Sequence, residues 1–172
     1  MVKTRSFKPT DLDRCVKLFV KVFSQEPWQD QWPSLERAKE YLSDIVGTPG
    51  FEGFIAYEGS KILGLCLGHK VRWWAGDEFY IDEFCIDSSV QRSGIGTQLL
   101  EHARECLQKA KIQFVVLLTE RNTLAESFYV KQGFDTSDKA IFMYCRLDGT
   151  KPRGSRPSMS KSIDHRACSA FA

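Results

Sequence analysis

No stretch of this chain approaches the ~18 consecutive apolar residues that a membrane-spanning helix requires. Its opening, MVKTRSFKPTD, also lacks the apolar segment of a signal peptide. No membrane partner is expected, and the expected location is cytoplasmic. The six cysteines, at 15, 66, 85, 106, 145 and 168, include no C-x-x-C pair. Several sit singly inside apolar runs (LCLG, EFCI, MYCR), where a free thiol behaves as a small hydrophobe, so reduced structural cysteines are expected rather than disulfides. Histidine is scarce: three residues, far apart, none at ligand spacing from a cysteine, so no metal is expected. Internal repeats are absent. A broadly basic face is missing as well. The formal charge is only +2, and the basic surplus lies in the tail, where Lys151, Arg153, Arg156, Lys161 and Arg166 stand against Asp164. The body is slightly acidic, which argues against a nucleic-acid partner.

What remains is ordinary globular composition, 42% hydrophobic and 27% charged over 172 residues. That suits one domain, residues 1–148, burying about two-thirds of its unfolded surface. Residues 149–172 are rich in Ser, Pro and Gly without amphipathic period, and are expected to be a disordered basic tail. It reads as a solvated end, with a tether to a nucleic acid or an anionic surface as the alternative.

Along the body, residues 3–8 suit a first strand. Thr10 resembles the N-cap of a helix whose face carries Leu12, Val16, Phe19, Val20 and Phe23. QEPWQDQWP (25–33) is loop, and Ser34 opens a second helix that ends near Gly47. Strands over 52–58 and 61–71 form a hairpin about Glu58-Gly59-Ser60. A strand over 78–87, a glycine loop, a helix over 94–110 and the run FVVLLT (114–119) make a parallel βαβ unit. The continuous apolar run predicts a strand buried on both faces. A short helix over 122–132 and a last strand over 140–147 complete the order βααβββαβαβ, an α/β (α+β) layering around one mixed sheet.

The glycine loop carries the chemistry. Bare N–H groups and the positive end of the helix dipole converge where such a loop starts a helix, and they bind phosphate. A nucleotide P-loop needs a lysine after its last glycine, yet Gly96 is followed by Thr97-Gln98. A dinucleotide fingerprint needs a third glycine where Leu99 stands. Both readings fail. The remaining pattern is [QR]-x-x-G-x-[GA], present as Gln91-Arg92-Ser93-Gly94-Ile95-Gly96. With YIDEFCID (80–87) before it, Asn122 after the next strand and AESFYVKQGF (125–134) beyond, the chain resembles the GNAT superfamily of N-acetyltransferases over roughly residues 78–147.

The resemblance implies a GNAT fold, with a mostly antiparallel sheet splayed at a parallel strand pair and flanked by about four helices. It implies acetyl-CoA as co-substrate. Gln91, Arg92, Ser93, Gly94, Ile95, Gly96 and Thr97 would cradle the pyrophosphate. The backbone of Phe84, Cys85 and Ile86 would bond the pantetheine arm, leaving those side chains to the core. Asn122 would bond the arm, cap the following helix, or do both. Tyr129 would protonate the leaving thiolate; its alternative is a tyrosine stacked on an apolar helix face. A phenol's reference pKa of about 10 keeps it a donor.

An attacking amine must first lose a proton. Asp82 and Glu83 are adjacent, so on a regular strand they face opposite sides, with Tyr80, Asp82, Phe84 and Ile86 sharing one face. Resemblance to polyamine and aminoglycoside acetyltransferases puts an acid on the acceptor side at Asp82. Glu83 either turns toward the site through a bulge or pairs with a nearby cation, and a water chain without a dedicated base is the third option. For the acceptor, Trp28, Trp32, Trp73 and Trp74 interleave with Glu26, Asp30, Asp77 and Glu78. Aromatic faces with carboxylates suit a cationic amine, and the alternative is core or lid tryptophans with solvated acids. Trp28, Trp74, Asp77 and Asp82 are the expected substrate contacts. A small aminoglycoside- or polyamine-like amine leads, which would connect the chain to antibiotic resistance. Peptide or protein amines, and a non-catalytic acyl-CoA-binding module, are the alternatives. A homodimer is left open.

Overall fold

The computed structural model describes residues 1–143, 145, 147 and 168–169. Strands β1 (Lys3–Ser6), β2 (Phe51–Glu58), β3 (Lys61–Val71), β4 (Glu78–Ile86) and β5 (Phe114–Leu117) lie side by side in chain order. The first four are antiparallel, and β5 runs parallel to β4. Helices α1 (Leu12–Phe23) and α2 (Leu35–Val46) cover one face of the sheet. Helix α3 (Ile95–Lys109) covers the other, and α4 (Leu124–Lys131) adds Phe128 to that side. The apolar positions of α1 recur at helical spacing and bury Cys15, Val16, Phe19, Val22 and Phe23 against Leu65, Leu67 and Cys85 of the sheet. On the far face Leu99, Leu100, Ala103 and Leu107 of α3 meet Phe54, Cys66, Phe79 and Phe84.

Thr10 is not the cap of α1. The chain enters through a 3-10 turn, Pro9–Asp11, and Asp11 is fully buried. Its carboxylate accepts from Arg5 at 2.7 and 2.9 Å, from Arg14 at 2.6 Å and from the Lys8 N–H at 2.8 Å. The Arg5 bond, above all, holds its carboxyl below the usual range. Ser34 does cap α2, accepting from the Arg37 N–H at 3.1 Å. Thr123, rather than Asn122, caps α4 by accepting from the Glu126 N–H.

Regular alternation in β4 fails at Asp82. Leu67 pairs with Glu83 while Gly68 pairs with Ile81, so Asp82 is an extra residue in a β-bulge. Gly68 makes the close approach feasible, because a Cβ there would lie 2.2 Å from the Tyr80 carbonyl oxygen. Beyond the bulge the faces exchange. Phe84 and Ile86 join the α3 side with Phe79 and Ile81. Tyr80, Asp82 and Glu83 face the α1–α2 side, against the expectation that Tyr80, Asp82, Phe84 and Ile86 share a face.

Strand β5 is not buried on both faces: Phe114 is exposed and Val115, Val116 and Leu117 are half-buried. Residues 140–143 take no strand conformation, so no further strand covers β5 among the described residues. Part of the expected strand 140–147 lies outside them. So does the tail from 149 on, except Cys168–Ser169 (β6), which pairs in parallel with Glu83 and Phe84 of β4.

Candidate active site

Pairing between β4 and β5 stops at Ile81–Leu117. From Asp82 onward the two strands part, and the β5-side edge of β4 opens between them, paired there only by Cys168–Ser169 among the described residues. The parting and the bulge coincide. On the α1–α2 side of the opening Glu83 is buried, 1% exposed, and its Oε1 accepts from the Tyr41 hydroxyl of α2 at 2.5 Å. Its Oε2 is buried without a hydrogen-bond partner. Burial pushes the Glu83 carboxyl well above its usual range and Tyr41 draws it back, while Asp82 and Asp30 repel its charge. Asp82 is half-buried and lies 2.7 Å from His69 Nδ1. Asp30, in the α1–α2 loop, is raised to about 6 by burial and then by Glu120 just past β5. Four carboxyl groups from three separate segments thus converge where the strands part.

The glycine loop stands at the end of β4. Asp87 is buried and anchors its start, accepting from Lys21 at 2.6 Å, Lys61 at 3.0 Å and Ser89. Those partners outweigh the cost of burial and hold its carboxyl far below the usual range. Gln91 ties the loop back to the Ile86 carbonyl at 3.1 Å, and Ser93 donates to the Val90 carbonyl at 2.6 Å. Gly94 has φ +86°, and nothing lies within 4 Å of where its Cβ would be. The N-cap residue Gly94 has no side chain, so no cap acceptor occupies the first-turn N–H groups of α3. Arg92 also takes positive φ and lines a cleft of about 540 Å³ with Gln91, Glu26, Leu124, Ser127, Phe128 and Lys131. The Thr97 hydroxyl accepts from Gln132 at 3.1 Å, which fastens the end of α4 to the first turn of α3.

Tyr129 is 3% exposed and packs edge-on against Phe84 at 6.1 Å, Phe128 at 5.2 Å and Phe134 at 5.2 Å. Its ring therefore belongs to the apolar wall beside the part of β4 where the slot opens. Phe84, Cys85 and Ile86 are buried there, and burial pushes the Cys85 thiol well up, which keeps it a thiol rather than a nucleophile. Asn122 takes positive φ, and its backbone N–H donates to Glu126 at 2.6 Å.

The expected substrate contacts are not all brought together. Trp28 is core, 2% exposed and 5.9 Å from the Phe23 ring. Trp74 (89% exposed) and Asp77 belong to the β3–β4 turn, and four residues of strand lie between Asp77 and Asp82, a rise of roughly 16 Å. Only Asp82 stands at the opening. Sequence reasoning missed His69, Tyr41, Glu120, Asp87 and Lys131. Glu120 had a signal, an acid ending the apolar run FVVLLT; Lys131 had another, since it shares the cleft side of α4 with Leu124, Ser127 and Phe128. His69 and Tyr41 had none, because each depends on a partner far away in sequence.

A parallel strand pair that parts beside a glycine-loop helix N-terminus, with a tyrosine against the slot, defines the class: an acyl-CoA-dependent transferase fold. The chain belongs to the acetyltransferase (GNAT) family, whose sequence profile matches residues 13–134. It is an acetyltransferase enzyme of a family that generally uses acetyl-CoA. A probable N-acetyltransferase of Mycobacterium tuberculosis is 25% identical over 164 residues, covering 86% of this chain and 87% of that protein. Among solved structures, an aminoglycoside acetyltransferase from an uncultured soil metagenomic sample, in complex with sisomicin, has a TM-score of 0.68 at 20% identity. It spans 85% of this chain and 96% of its own. A possible acetyltransferase from Clostridium difficile 630 reaches 0.71 at 16% identity, spanning 86% and 99%. These structural likenesses concern the fold.

The residues present fit acetyl-CoA. The uncapped α3 N-terminus behind Gly94, with Arg92 and Lys131 in the adjoining cleft, offers N–H groups and positive charge for phosphates. Thr119 Oγ1, just past β5, is buried without a hydrogen-bond partner, which leaves a polar atom for an amide-bearing arm. Among the described residues no group of three or more side chains could hold a metal, and no helix is long and apolar enough to cross a membrane.

Proposed function

We propose that the chain moves an acetyl group from acetyl-CoA directly to a primary amine of a small cationic acceptor, aminoglycoside- or polyamine-like. The observation that carries this is the convergence of Asp82, Glu83, Asp30 and Glu120 at the mouth of the slot. Two of these carboxyls are raised by burial and mutual repulsion, costs that an arriving ammonium group relieves. Aminoglycosides and polyamines carry several ammonium groups at neutral pH, so each acid has a partner to meet. A neutral or anionic amine would leave them as they are.

Acetyl-CoA supplies the activated thioester. The first turn of α3, Arg92 and Lys131 hold its phosphates, and the backbone of Phe84, Cys85 and Ile86, where β5 has left it, orients its arm. The Tyr129 hydroxyl gives a proton to the departing sulfur. The carboxylates draw in the ammonium and hold the nitrogen against the thioester, which makes the encounter effectively intramolecular. Asp82 and Glu83 both face the acceptor side, because the bulge turns Glu83 toward it.

The test is thiol release from acetyl-CoA across a panel of aminoglycosides, polyamines, peptide amines and neutral amines. The expected order puts multiply charged small amines first in kcat/KM. Peptides or neutral amines in front would sink the cationic-acceptor reading while leaving the acetyltransferase assignment intact.

A further inference from the structure

His69 has no assigned part in the reading above, yet it stands at the mouth. It lies on β3 opposite Tyr80, whose ring is 5.8 Å from the imidazole, and its Nδ1 is 2.7 Å from Asp82 Oδ2. Asp82 is the bulge residue, the first of β4 beyond the last β4–β5 pair. The two side chains are 25% and 18% exposed, so solvent or an acceptor can reach the pair while the strands hold it in place.

A carboxylate only accepts, so the nitrogen facing it carries the hydrogen. In the neutral ring that leaves the lone pair on Nε2, which makes no hydrogen bond among the described residues. A base whose tautomer is set by a buried or half-buried carboxylate is the arrangement by which hydrolases activate a nucleophile. Imidazole is also the better base, its reference pKa exceeding that of a carboxylate by roughly 2–3 units and lying nearer neutral pH. Asp82 is committed to the ring, and Glu83 is almost wholly enclosed under Tyr41.

We propose that His69 Nε2 accepts the proton from the acceptor amine, directly or through one water, and that Asp82 is the positioning residue that aims it. Passing from ammonium to amide, the nitrogen gives up two protons. His69 takes the first and passes it to solvent. The C–N bond forms as the C–S bond breaks, and the second proton ends on sulfur, delivered by the Tyr129 hydroxyl, which is replenished from the nitrogen. The titratable groups that share this side with His69 are Asp82, Tyr80 and Glu83 on β4, Tyr41 on α2, Asp30 in the α1–α2 loop and Glu120 past β5. Lys70 and Glu52 pair with each other at 2.8 Å on the opposite face.

The inference rests on the proposed acetyl transfer, but not on the acceptor being cationic, since any primary amine that turns over serves the test. Long-range proton–nitrogen NMR on the full chain reads the tautomer without an acceptor; the expected state is Nδ1–H with bare Nε2. In the kinetic arm, His69→Gln should lower kcat by about 10²–10⁴ with the KM for acetyl-CoA unchanged. It should also abolish the rising acid limb of the pH–kcat profile, and added imidazole should restore part of the rate. Asp82→Asn should lower kcat less, and the double variant should fall no further than His69→Gln alone. His69→Asn, checked with His69→Gln by thermal unfolding, guards against a packing defect. A protonated Nε2 with bare Nδ1, or kcat within about twofold of wild type with the acid limb retained, would overturn the proposal. A panel led by peptides, with His69→Gln still impaired, would reject only the acceptor class.

Discussion

Asp30 is half-buried, and its carboxyl is raised to about 6, by burial first and Glu120 second. A free aspartate titrates near 3.9, so the folded chain binds this proton more tightly than the unfolded one. Stability from this residue is therefore full below pH ~4 and declines as pH rises to about 6. Asp30→Asn should raise Tm at pH 7–8 and leave it unchanged at pH 4. The gain should be on the order of 1 kcal/mol after solvent screening. The same variant should weaken a cationic acceptor's KM above pH 6, where wild type carries the charge, and scarcely at pH 5. Differential calorimetry and kinetics at the two pH values check both halves. Tyr129 makes the complementary case. Its ring is fixed by three aromatic neighbours, so Tyr129→Phe should keep the fold and the acetyl-CoA affinity. Turnover should fall by about 10²–10⁴, provided single-turnover rates show that chemistry limits.

At the scale of elements, the loop between β4 and α3 works because Gly94 takes a left-handed conformation with open space before it. Gly94→Val would put a branched side chain into that space and strain the backbone by about 1–2 kcal/mol. Gly59, in the β2–β3 hairpin, has φ +58° and equally open surroundings, and it reaches the loop only through Lys61, which bonds Asp87 at 3.0 Å. Gly59→Val is therefore the strain control. Both variants should lose similar stability, while only Gly94→Val should lose acetyl-CoA affinity, by tenfold or more in calorimetry. Equal affinity in both would remove the loop from cofactor binding. Loop, α3 and their order were legible in the sequence because each is a local pattern: two glycines, then apolar residues at helical spacing. The bulge in β4 was not. Period-two alternation describes one strand alone, whereas the extra residue at Asp82 exists only relative to β3, where Gly68 lets the strands approach.

For the whole molecule, the two core clusters draw their members among the described residues from 134 and below. Cys168–Ser169 pairs with Glu83 and Phe84, on the edge of β4 where the cofactor arm is expected. A chain ending at residue 148 should therefore keep its Tm within a few degrees and bind acetyl-CoA at least as tightly as the full chain. Weaker binding by the shorter chain would show that the tail supports the slot rather than competing for it.

By itself the sequence determined the family, the order of elements through α4 and the glycine loop that opens α3, because these are contiguous patterns local to the backbone that carries them. Tertiary structure alone decided which acids share the α1–α2 side of the slot. The register of β4 against β3 turns Glu83 inward, packing carries Trp28 into the core, and the turn before β4 keeps Trp74 and Asp77 away from the mouth. Asp30, Glu120 and His69 meet Asp82 and Glu83 from three other segments. Their distances, burial and mutual repulsion have no counterpart along the chain, since side-chain electrostatics depends on separation in space and on the water displaced between groups.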